Sequence, residues 1–158
     1  MSSHAGLAAR IHRALSDLDL LVPRLGTLAA RSKLETDFAV VDALALNVQS
    51  LYTGLEQIFE AIAREVDDDL PSGASWHREL LDQMGSEVSE RRPEVISEAS
   101  RSCLHEARSF RHVVRNVYSY NLNPEMVTAL ARRLLDCYAQ VRGELEGFAS
   151  HFLESDRS

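Results

Sequence analysis

The chain has 158 residues, of which 45% are hydrophobic and 26% charged, with only 7 glycines and 4 prolines, a balance that suits a folded protein with a real core. A formal charge of -7, spread along the chain, argues against a basic coat for nucleic acid and leaves room only for a local cationic patch. No run approaches the ~18 apolar residues of a membrane span, and the N-terminus MSSHAGLAARIHRAL lacks the apolar core of a signal peptide. The expectation is one domain over residues 1–158, soluble, away from membranes and cytoplasmic.

In chain order, Leu7, Ile11, Leu15, Leu18, Val22, Leu25 and Leu28 recur at helical spacing over residues 4–31, and Pro23 predicts a kink or an interruption there. The next segment is the most regular. Val41, Leu44, Val48, Leu51, Leu55, Ile58, Ile62 and Val66 form one stripe on a long helix. Asn47, Gln49 and Tyr52 beside it are candidates for a dimer seam. The Asp67–Asp69 run reads as a solvated acidic turn, since consecutive acids do not converge on one ion and no Asp-x-Asp-x-Asp-Gly spacing is present. DLPSGAS is a turn, after which Ser75 is placed to cap a short helix over 75–87. Trp76 is expected to plug the bundle end and His77 to sit at the surface, with a supporting role beside a basic stripe as the alternative. ERRPEV makes a second break.

A helix over about 95–120 follows, with Ile96, Ala99, Cys103, Ala107, Phe110, Val113 and Val117 on its apolar side. In that register Arg101, His105, Arg108, Arg111, His112, Arg115 and Tyr118 point away from the core. The last helix carries Val127, Leu130, Leu134, Tyr138, Val141, Leu145, Phe148 and Phe152, and its start is marked by Asn123, Pro124 and Glu125. No strand-like alternation occurs. The predicted fold class is all-α, an up-and-down bundle of four to five helices. Cys103 and Cys137 lie on or beside apolar stripes. Without a secretory signal they are expected as free buried thiols, with a disulfide the lesser alternative.

The stretch that carries chemistry is FRHVVRNVYSY, residues 110–120. Residues 101–120 hold four arginines and two histidines against one acid, Glu106, inside an acidic protein. A solvated face is the ordinary explanation of such positions, but a solvated face mixes its signs. Arginine forks match phosphate oxygens and histidine moves protons near neutral pH, which suffices to cut RNA without a metal. A twofold pairing of this face would build a composite cleft. His105-Glu106 is no metalloprotease motif, because Ser109 stands where the second histidine belongs. No phosphate loop, Cys-x-x-Cys or Gly-x-Ser-x-Gly is present, so no metal and no cofactor are expected.

LYTGLEQIFEAIA (51–63), LPSGASWHRELL (70–81) and FRHVVRNVYSYNLNPE (110–125) together resemble the HepT-like branch of the HEPN superfamily, over roughly residues 35–150. The resemblance implies a helical-bundle homodimer. It implies a ribonuclease toxin paired with a minimal nucleotidyltransferase antitoxin that adds AMP to a tyrosine of the toxin. The family motif runs arginine, polar residue, three more residues, histidine, any residue, tyrosine. On this chain those positions are Arg111, His112, then Asn116 in the histidine's place, and Tyr118. Arg108 and Arg115 flank them as phosphate-binding candidates, and Tyr118, with Tyr120 as alternate, is the candidate AMP acceptor. Asparagine does not titrate, so two outcomes stay open. Either His112 takes over proton transfer with Asn116 orienting phosphate or ribose, or the domain is an inactive interaction module, the binding or antitoxin member of the pair.

Overall fold

The structure is a computed structural model describing residues 4–34, 37–116 and 122–155; the side chains of residues 33, 34 and 111–116 fall outside that description. It is all-α. Helix α1 is Ala5–Asp19, α2 Leu21–Leu34, α3 Phe38–Ile62, α4 Trp76–Met84, α5 Glu98–Asn116 and α6 Pro124–Gly147. Widened, π-type turns extend α3 through Ala63–Asp67 and α6 through Phe148–Leu153. Counting α1 and α2 as one interrupted segment gives five helices, within the predicted four to five. The interruption falls at Leu20, which leaves Pro23 in the first turn of α2, where a missing N–H costs no helical hydrogen bond.

Helix α3 is the axis. The predicted stripe from Val41 to Val66 is buried throughout, and so is a second line formed by Tyr52, Phe59 and Ala63. Two apolar lines let α3 pack against α1, α2, α5 and α6 at once. Tyr52 is 1% exposed and Asn47 donates its Nδ2 to Ala43 O at 2.8 Å, so Tyr52 belongs to the chain's own core and not to a dimer seam. Among the described residues, Phe38–Asp67 is the helix with length and composition to cross a membrane; half of its most apolar window is buried in the bundle.

Helix α6 closes the bundle as predicted. Asn123 Oδ1 accepts the N–H groups of Glu125 and Met126 at 3.0 and 3.2 Å, and Pro124 opens the helix. Asp19 ties α1 to α6, accepting from Tyr138 Oη at 2.8 Å and Arg142 Nε at 2.9 Å.

Two loop readings change. Asp67 is 6% exposed, not solvated: its carboxylate takes two bonds from Arg92, at 2.6 and 2.8 Å, and one from Gln83 at 2.7 Å. The chain reverses just after it, at Asp68, in a left-handed conformation with φ 53° that aspartate tolerates. Ser75 stands at the N-cap of α4 without a side-chain cap bond. The cysteines are also corrected. Cys103 of α5 and Cys137 of α6 form a disulfide, with Cα atoms 6.6 Å apart. Both are half-buried at the helix–helix contact, where the sequence expectation was two separate thiols.

Candidate functional site

Helix α5 begins on a built cap. Ser97 Oγ accepts the N–H of Ser100 at 3.2 Å, Glu144 of α6 accepts the N–H of Ser97 at 3.0 Å, and Glu98 occupies the first turn. Its inward face is Ser100, Leu104, Ala107 and Phe110. Ala99, predicted inward, is exposed, and Cys103 is half-buried. The helix is turned relative to the expected register because Ile96 lies before its first turn. Val95 and Ile96 give their N–H groups to Met84 O, so Ile96 does not set the helical phase.

That rotation decides the electrostatics. Arg101, His105 and Arg108 do not stand out into water; all three are half-buried, the first two against α4. Arg101 Nη1 donates to Asp82 Oδ1 at 2.7 Å, and its Nη2 reaches both oxygens of Glu98 at 2.6 and 2.7 Å. His105 Nε2 lies 3.1 Å from the same Asp82 oxygen. Arg108 Nε donates to His105 Nδ1 at 3.4 Å, a long bond. Glu106 pairs with Arg133 of α6. Gly85 lies close against this arginine: a Cβ on it would meet Arg101 Cδ at 2.7 Å, so a larger residue there would displace the Arg101 side chain.

The expectation of a stripe short of acid partners therefore holds only in part. Counting acids four residues apart on the same helix missed Asp82, which is distant in sequence and supplied by α4. Neutralisation stops one turn later: among the described residues, Arg108 has no carboxylate partner. By backbone register His112 and Arg115 continue the Arg108 line at four and seven residues, and Arg111 and Asn116 flank it. All four lie in α5, with side chains outside the description, and Tyr118 and Tyr120 lie outside the described residues.

Burial pushes the Asp82 carboxyl up, but the hydrogen bonds from Arg101 and His105 outweigh it and hold the group below its usual value. Its folded value being the lower one, the α4–α5 clamp contributes fully above the ordinary carboxylate range and is lost as pH falls through the lowered value. We predict that Asp82→Asn is less stable than the parent at neutral pH and that the gap in urea midpoint closes on acidification. With the carboxylate 48% exposed the gap is small, and a gap that persists in acid would show that charge is not the cause.

A second titratable pair went unread in the sequence. Glu56 of α3 is 3% exposed and places Oε2 2.7 Å from His77 Nδ1 at the start of α4. The His77 ring lies against Trp76, with centroids 3.6 Å apart. The expected surface histidine is thus held by a buried acid. The available signal was Glu56 itself, a charge inside the second apolar line of α3, between Tyr52 and Phe59.

Among the described residues no group of three or more His, Cys, Asp or Glu is arranged to hold a metal. The HepT-like protein family matches residues 43–152, a span running from α3 to the end of the bundle and holding both the α5 stripe and the Glu56–His77 pair. The chain belongs to the HepT-like family. No curated protein and no solved structure matches it. The HepT-like span takes in most of α3 and all of α4, α5 and α6, so both sets of polar contacts fall inside it. Helix α1 and α2 precede it and supply core through Leu7, Ile11, Leu15 and Leu25.

Proposed function

We propose that the chain is a HepT-like toxin, a metal-independent endoribonuclease that acts as a homodimer with a composite cleft. Arg111, His112, Asn116 and Tyr118 form the reacting cluster and Arg108 and Arg115 grip phosphates. The observation that carries the reading is the end of charge pairing along α5. Arg101 and His105 are both held by Asp82, and Arg108, the first cation of α5 left without a carboxylate among the described residues, stands three residues before the family motif opens at Arg111. A cation kept unpaired in an acidic protein suits a polyanion.

His112 takes the proton of a 2'-hydroxyl, Arg111 stabilises charge on the phosphate, and Asn116 orients phosphate or ribose. RNA as substrate implies the cytoplasm. The partner is a minimal nucleotidyltransferase antitoxin that silences the toxin by adding AMP to Tyr118. Inducible expression is expected to arrest growth, with His112→Ala and Arg111→Ala relieving the arrest. Variants as toxic as the parent would remove these residues from the site.

One observation favours a second reading: asparagine at 116 stands where the family motif has its proton-transferring histidine. In that reading the domain is catalytically inactive and its cationic face docks the nucleotidyltransferase. Pure protein would then cut no RNA and would bind the partner in a complex that weakens with salt.

A further inference from the structure

The chain's two cysteines meet where α5 packs on α6. Enclosed disulfides resist thiols in solution, whereas accessible ones exchange with them. Cys103 and Cys137 are half-buried, not enclosed. Beside them stands an ion pair rather than apolar cover: Glu106, three residues after Cys103, meets Arg133, four residues before Cys137, and their side chains are 46% and 60% exposed. A small thiol thus has a solvated approach to the bond. The reduced state is also provided for. Cys103 Sγ lies 3.6 Å from Arg133 O and Cys137 Sγ 3.7 Å from Leu134 O, so each thiol formed on reduction has a carbonyl acceptor at hand. The other ties of α5 to α6 need no covalent bond: Glu144 accepts the Ser97 N–H at 3.0 Å, and Leu104 and Phe110 share one core with Ala131 and Leu134.

The position of the bond along α5 gives it an effect. Arg101 and His105 stand two residues before and after Cys103, which at ~100° per residue puts both on the opposite flank of the helix. That flank is the one Asp82 of α4 grips, at 2.7 Å to Arg101 Nη1 and 3.1 Å to His105 Nε2. One turn of α5 is therefore held from two sides, by an ionic clamp to α4 and a covalent bond to α6. With the bond intact, loss of the clamp leaves the turn tied to α6. With two thiols in its place, the clamp carries the turn together with the Glu106–Arg133 pair just beyond it.

We infer that Cys103 and Cys137 form a redox modification site, a disulfide that exchanges reversibly with low-molecular-weight thiols and whose state sets how firmly this turn of α5 is held. The inference is independent of the ribonuclease reading above. A small thiolate attacks one sulfur, the bond between the cysteines breaks, and a mixed disulfide forms while the other cysteine leaves as a thiolate and takes a proton from water. A second small thiolate attacks the small molecule's sulfur in that mixed disulfide and releases the remaining cysteine in the same way. Two electrons pass to the protein, and two small thiols leave joined as their own disulfide. The reverse sequence, driven by that disulfide, restores the bond.

The test uses the full chain in native buffer, equilibrated anaerobically with mixtures of reduced and oxidised glutathione, then alkylated and read by mass spectrometry. The expected result is a passage from no free thiol to two as the reduced form comes to dominate, with one midpoint approached from either side and unchanged helical circular dichroism. Cys103→Ser and Cys137→Ser each leave a single thiol, and at least one of them should take up one glutathione from the oxidised form without denaturant. Amide hydrogen exchange reads the consequence: Asp82→Asn should accelerate the amides around Cys103 by roughly threefold more in reduced protein than in oxidised. A bond that glutathione opens only in urea, or thiols that oxidised glutathione leaves unpaired, would overturn the redox site. Failure of both single variants to take up glutathione would overturn the exchange route. Equal acceleration in the two states would show two independent holds and overturn the control of the turn.

Discussion

Arg92→Ala is expected to cost roughly 3–5 kcal/mol of folding stability, because it leaves the Asp67 carboxylate buried without its counter-charge. The two side chains are 0% and 2% exposed. Arg92 spends its donors on Asp67 Oδ1 and Oδ2 and on the carbonyls of Ser86, Pro93 and Gln83. Arg91 covers the carbonyls of Val66 and Asp67 at the end of the widened turn of α3. One salt bridge thus joins the C-terminal end of α3, the C-terminal end of α4 and the loop leading into α5. The pair's net worth against an apolar replacement is another matter: Asp67→Leu with Arg92→Met is expected to recover much of the loss, since the penalty arises from stranding one charge. Urea midpoints of the two single variants and the double variant decide it. Additive single losses would show that the residues act separately.

The same arginine shows where reading the sequence ends. Helices α3 and α6 were legible because their signals are local: a 3–4 apolar spacing, and in α6 an asparagine cap followed by proline. Asp67 and Arg92 looked like loop residues because the property that matters, mutual burial across 25 positions, leaves no periodic trace. Asp82 escaped for the same reason, being remote in sequence from the arginine and histidine it contacts. The register of α5 failed differently. Ala99 and Ile96 were counted into its stripe although the first is small and the second precedes the helix, while Leu104 was left out; this turned the apolar face by part of a turn and made a flank look like an outer surface. Lys and Arg side chains lying along a neighbouring helix are a general consequence of long apolar stems with charged ends. The motif positions Arg111, His112 and Asn116 were assigned by resemblance, and what the fold adds is their placement on the last turns of α5.

Removing the disulfide is the second large expected effect. Cys103 and Cys137 are 34 residues apart, so the closed loop takes conformational entropy from the unfolded chain worth about 3–4 kcal/mol. Oxidised protein should therefore resist urea better than the same protein in dithiothreitol, and Cys103→Ser should match the reduced parent and ignore the reductant. Identical midpoints, with two titratable thiols in the folded oxidised protein, would show that the bond does not form. In a reducing cytoplasm the two cysteines stand as thiols, and α5 must then stay on α6 by other means. It has them: Glu144 accepts the Ser97 N–H, Gln140 donates to Ser97 Oγ, Glu106 pairs with Arg133, and Leu104, Ala107 and Leu134 belong to one core. Reduction is accordingly expected to lower the urea midpoint while leaving the helical circular dichroism in native buffer unchanged. These remaining ties run from Ser97 to Phe110, so the part of α5 that loses most on reduction is the turn around Cys103 itself. Amide hydrogen exchange in oxidised and reduced protein should differ most there, and uniform acceleration along α5 would contradict that distribution.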